Sequence, residues 1–62
     1  MTRSDLNTIR YALDNVRNRE KEFCRMYIEQ NPGDAERRTR DMELYLAALD
    51  AAWYEIKRQS NG

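Results

Sequence analysis

Hydrophobic residues recur every three or four positions through two long stretches of this chain, and a single cluster of helix-breaking residues separates the stretches. In the first they fall at Leu6, Ile9, Leu13, Val16, Phe23 and Tyr27, in alternating steps of three and four once Glu20 is counted in the row. In the second they fall at Met42, Leu46, Leu49, Trp53 and Ile56, flanked by Tyr45 and Ala52 one row over. Such heptad spacing sets one apolar stripe along an α-helix, as in coiled coils. The break is Asn31-Pro32-Gly33-Asp34. Proline has no amide hydrogen to continue a helix and pushes the preceding residue out of the helical region. The pattern therefore predicts helix one over about 4–30, a turn over about 31–34 and helix two over about 34–59.

The ends carry their own signals. Thr2 or Ser4 precedes the first apolar residue, and Asp5 stands three positions after Thr2, a capping-box arrangement. For helix two, either Asn31 caps with Pro32 in the first turn, or Asp34 caps with Gly33 closing helix one. Ser60, Asn61 and Gly62 are expected to fray. Folding the chain back at the turn brings Leu6 near Ile56, Ile9 near Trp53, Leu13 near Leu49, Val16 near Leu46 and Glu20 near Met42. On one edge Arg10 then approaches Asp50 and Arg17 approaches Glu43. On the other, Ala12 meets Ala52 and Arg19 meets Tyr45.

From Leu44 to Tyr54 helix two is apolar on nearly every side, more than one neighbouring helix can cover. A chain of 62 residues is one domain of marginal stability unless a disulfide, a metal or a second subunit contributes. Cys24 is the only cysteine and histidine is absent, which removes an intrachain disulfide and the usual zinc ligands. The remaining route is self-association. The fold expected is all-α, an antiparallel two-helix hairpin that dimerises into a four-helix bundle. Its dimer interface is expected at Leu44, Tyr45, Ala48, Ala51 and Ala52, where alanines allow close approach and larger apolar side chains accompany them.

Eleven basic and eleven acidic residues give zero formal net charge, which argues against binding nucleic acid by bulk electrostatics. Nine of the eleven basic residues are arginines, and six of them, Arg17, Arg19, Arg25, Arg37, Arg38 and Arg40, gather in two groups that the antiparallel fold brings together near the turn. Arg17, Arg19, Lys21, Arg37, Arg38 and Arg40 therefore carry an alternative reading, an RNA- or DNA-binding regulator, since the guanidinium fork suits phosphate. Against it, carboxylates interleave at helical pair spacing, as in Glu36 with Arg40, Arg37 with Asp41 and Arg25 with Glu29.

No catalytic residue is expected. Histidine, the usual group titrating near neutrality, is missing. Cys24 falls beside the first stripe and reads as a small semi-buried apolar residue. Glu36, Glu43 and Asp50 repeat every seven residues, the spacing of a solvated edge and not of an inward-facing metal cage. No metal, cofactor or small-molecule site is expected, and the two glycines are too far apart for a phosphate loop. Glu20 interrupts the first stripe and is expected to form an ion pair at the bundle edge. The amino terminus begins no apolar run of signal-peptide length, and no segment is long enough to span a bilayer. A cytoplasmic protein with a reduced thiol is expected.

The preferred functional expectation is a non-enzymatic homodimer that binds a protein partner as an adaptor, assembly factor or inhibitor. Tyr11, Arg25, Ile28, Arg37 and Tyr54 are its candidate partner-binding residues, side chains of the kinds enriched at interfaces. No residue motif points to a family. The layout of two helices joined by a short turn and doubling into a bundle resembles the plasmid copy-number RNA-binding hairpins and small helical co-chaperones of secretion systems, in shape alone.

Overall fold

The computed structural model describes residues 1–61. It contains helix α1 over Arg3–Gln30, a 3-10 turn over Pro32–Asp34 and helix α2 over Ala35–Asn61. Thr2 caps α1 in a full capping box: its hydroxyl accepts from the Asp5 amide, and the Asp5 carboxylate accepts from the Thr2 amide, each at 3.1 Å. At the other end Asn31 closes α1, its amide donating to the carbonyls of Tyr27 and Ile28. The next residue, Pro32, opens the 3-10 turn, and the Asp34 amide donates back to the Asn31 carbonyl at 3.0 Å. Neither capping scheme open to the sequence forms in full: Pro32 does open the turn after Asn31, but the Asn31 side chain makes no capping bond there and its Nδ2 donates back to the Tyr27 carbonyl at 3.1 Å. Gly33 takes no left-handed conformation and closes nothing. Helix α2 extends through Ser60 and Asn61, two residues past the end expected near 59. Gly62 lies outside the described residues.

The two helices lie side by side in one layer, and their Cα atoms occupy a slab of 46 × 16 × 6 Å. From α2 the row facing α1 is Ala35, Thr39, Met42, Leu46, Leu49, Trp53, Ile56 and Ser60. That row keeps the heptad and includes every residue expected there. From α1 the row is Leu6, Ile9, Leu13, Arg17, Glu20, Cys24 and Ile28, which departs from the heptad after Leu13. Val16, Phe23 and Tyr27 were expected to face α2. Instead Phe23 is 54% exposed and Val16 and Tyr27 are each 36% exposed. A straight helix advances 3.6 residues per turn and drifts off a seven-residue repeat by about 20° each time, so an unsupercoiled α1 keeps contact through steps averaging about 3.67 residues.

Only Cys24, 3% exposed, is buried among the described residues. The accessible surface is 4949 Å². A folded globular chain of this mass exposes about 4,250 Å², so the hairpin shows roughly 700 Å² more than a compact monomer would. Domains normally enclose a core between two layers of secondary structure. This one has a single layer.

Candidate interaction surfaces

The rows that pack α1 on α2 divide the slab into two broad faces of different chemistry. The first carries two parallel stripes. On α1, Ala12, Val16, Arg19, Phe23 and Met26 follow steps of four and three, and all are exposed. On α2, Asp41, Tyr45, Ala48 and Ala52 do the same. Each stripe has heptad spacing and a single charge. Phe23, Met26 and Tyr45 are among the large apolar side chains left open to solvent. Tyr27 borders this face, and the Arg38 guanidinium lies 6.0 Å from its ring centroid.

The opposite face is charged and grooved. Arg10, Asp14 and Arg17 line a groove with Asp50, Trp53, Tyr54 and Lys57. Arg17 donates to Asp50, the one ion pair that crosses between the helices on this side among the described residues. The contact raises the affinity of the Arg17 guanidinium for its proton, chiefly through the hydrogen bond to the Asp50 carboxylate. The sequence placed Arg10 opposite Asp50 and Arg17 opposite Glu43. The structure corrects this, because Arg17 lies in the packed row and a helical side chain tilts toward its own amino terminus, here toward the carboxy-terminal half of α2. Lys57 covers both Trp53 and Tyr54, at 5.6 and 5.2 Å from their ring centroids. Nearer the turn, Cys24, Ile28, Thr39 and Met42 floor a second, apolar groove rimmed by Lys21, Arg25 and Glu29.

Of the residues expected at the dimer interface, Tyr45, Ala48 and Ala52 belong to the apolar face. Leu44, 65% exposed, and Ala51 lie on the back of α2, away from α1. Of the candidate partner-binding residues, Arg25, Ile28 and Tyr54 lie on the charged side, and Tyr11 stands exposed on the outside of α1. Ile28, absent from the stripe the sequence predicts for helix one, nevertheless belongs to the packed row. The drift of α1 turns it half-buried toward α2. Arg25 is held between Glu22 and Glu29, and Arg37 between Asp34 and Asp41.

Among the six residues of the nucleic-acid alternative, Arg17, Arg37 and Arg38 each hold a carboxylate. Arg19 sits in the apolar stripe, while Lys21 and Arg40 line separate grooves on the charged side. Glu20 points inward and pairs with Arg38 at 2.8 Å, both side chains less than one-fifth exposed. Cys24 faces α2, its thiol 3.8 Å from the Arg38 carbonyl. Among the described residues no cluster of carboxylates, cysteine or histidine could hold a metal ion, and no helix is long and apolar enough to cross a membrane.

No protein-family model, curated protein or solved structure matches the chain. Its surfaces alone carry the functional reading. Reading for one stripe per helix missed the apolar face of α1. The signal was present in the four-three spacing of Ala12, Val16, Arg19, Phe23 and Met26, where Val16 and Phe23 had already been assigned to the hairpin's own seam.

Proposed function

We propose that this chain is a non-enzymatic scaffold: two copies join into a four-helix bundle, and the bundle binds a protein partner as an adaptor, assembly factor or inhibitor. The observation that carries the reading is the difference between the two faces of a one-layer hairpin. The apolar face offers Phe23, Met26 and Tyr45 to solvent, and the surface in excess of a compact monomer is close to the roughly 800 Å² that each partner contributes to a standard protein interface. Covering it with a second copy leaves the charged face outward on both sides of the bundle. That face combines arginines, Tyr54 and the apolar groove at Ile28, a mixture suited to protein recognition.

The nucleic-acid reading draws less support, since half of its cations are engaged with carboxylates and the others are dispersed. Affinity capture on the immobilised wild-type protein, with and without nuclease, tests the choice. The scaffold reading expects a specific protein that survives nuclease and moderate salt, and is lost when Tyr54→Ala and Arg25→Ala are combined without change in the oligomer. Retention that vanishes with nuclease, or falls steeply with ionic strength as phosphate contacts do, would overturn it.

A further inference from the structure

At the edge of the apolar face Arg38 is already engaged by Glu20, which leaves Arg19 and Asp41 as the charges of its two stripes, and their positions select how a second copy sits on it. We infer that two hairpins stack apolar face to apolar face with their turns at the same end, α1 of each lying on α2 of the other, so that Arg19 of one copy meets Asp41 of its twin. This inference rests on the dimeric reading above and adds the arrangement.

A twofold axis that brings two flat hairpins face to face must lie in the plane between them. If the axis runs along the rods, α1 stacks on α2 of the other copy and both turns point the same way. If it runs across them, α1 stacks on α1, α2 stacks on α2, and the turns point apart. The contacts of Glu20 and Cys24 with Arg38 fix how the helices are staggered. They place Arg19 and Asp41 at the same height to within about one helical turn of 5.4 Å. With the axis along the rods, heights are preserved and each Arg19 faces the twin's Asp41.

With the axis across the rods, Arg19 faces a stripe of α1 that contains the other Arg19 and whose one carboxylate, Asp5, lies two heptads away in the Thr2 capping box. Asp41 faces a stripe of α2 whose one cation, Arg38, is held by Glu20 and whose continuation past Ala52 is another carboxylate, Glu55. Charges covered without a partner oppose assembly, and like charges across a contact do so further. Arg19 is free to serve, since it makes no ion pair among the described residues. Asp41 uses only Oδ2 on Arg37, which is itself shared with Asp34. That trio has one cation for two carboxylates and attracts a further positive charge.

A distance measurement separates the arrangements. Gly33 is exposed, and a side chain there would meet nothing within 4 Å. Gly33→Cys in a Cys24→Ala background takes one spin label per chain at the turn. Same-end stacking predicts a label separation of roughly 10 to 25 Å, given helix spacings of 8 to 10 Å. A dimer with labels about 40 Å apart, the span of 28 helical residues, would overturn the arrangement and leave the dimeric reading standing. A species that sediments as one chain would overturn both.

Charge reversal gives a second test. Arg19→Asp and Asp41→Arg should each weaken self-association about tenfold, because each symmetric dimer repeats the like-charge contact twice. Mixing the two variants should restore wild-type affinity in a heterodimer, where every contact is again between opposite charges. Failure of the mixture to pair better than either variant alone would refute the Arg19 to Asp41 contact.

Discussion

Asp34 is the residue on which the turn is fastened. It accepts from the Tyr27 hydroxyl at 2.7 Å and from the Arg37 guanidinium, so the last turn of α1, the 3-10 turn and the first turns of α2 meet on one carboxylate. Arg37, more than Tyr27, holds that carboxyl at about 2, below its ordinary value of 3.8. A depressed acid in the folded state contributes stability that is fully present above the unfolded value and is lost as pH falls through the folded one. Thermal midpoints followed by circular dichroism should therefore drop as pH is lowered from about 4 to about 2. Asp34→Asn should flatten that acid limb while lowering the midpoint at neutral pH. An unchanged slope in the variant would show that the carboxylate does not couple to folding. The pair of Glu20 with Arg38 plays a different part. With Glu20 in the packed row of α1 and Arg38 half-buried beside the row of α2, it fixes the stagger of the helices, since a slip would leave both charges covered and unpaired.

At the level of the helices, α2 was legible and α1 only in part. The stripe of Met42, Leu46, Leu49, Trp53 and Ile56 packs as the sequence indicates, and the turn is where Asn31 and Pro32 place it. The α1 stripe diverges because an apolar heptad records that side chains avoid water without recording which neighbour hides them. Val16 and Phe23 satisfy the heptad, but Arg17 and Cys24 take their places against α2. Arg17 was passed over because a charged residue is not expected in a packed row. Its long stem lies along the seam while its head reaches Asp50. On α2 the structure separates two alanines that the sequence treats alike. Ala48 lies within the apolar face and Ala51 on the back of α2. Ala48→Glu should weaken self-association by at least about a hundredfold, roughly 3 kcal/mol for a charge covered without a partner. Ala51→Arg should change it less than about threefold, as surface substitutions do. Sedimentation of both variants checks this, and equal effects would mean that the back of α2 is the contact.

The whole molecule is one layer of two helices with one buried residue among those described, an arrangement in which local helix signals are abundant and tertiary burial is scarce. Capping at Thr2 and the pairs of Arg25, Arg37 and Arg58 with carboxylates three or four residues away support the helices individually, at about 0.2 to 0.5 kcal/mol per pair. Such terms do not hold α1 against α2. In the proposed dimer a second layer would close a core over Val16, Phe23 and Tyr45 along with the seam between the helices. Folding and assembly would then be one event, with a thermal midpoint that rises with protein concentration. Sedimentation equilibrium across micromolar concentrations tests this most directly. A particle of two 7.5 kDa chains that loses its helical signal as it dissociates on dilution is expected. A cooperatively folded single chain, with a melting curve independent of concentration, would contradict it.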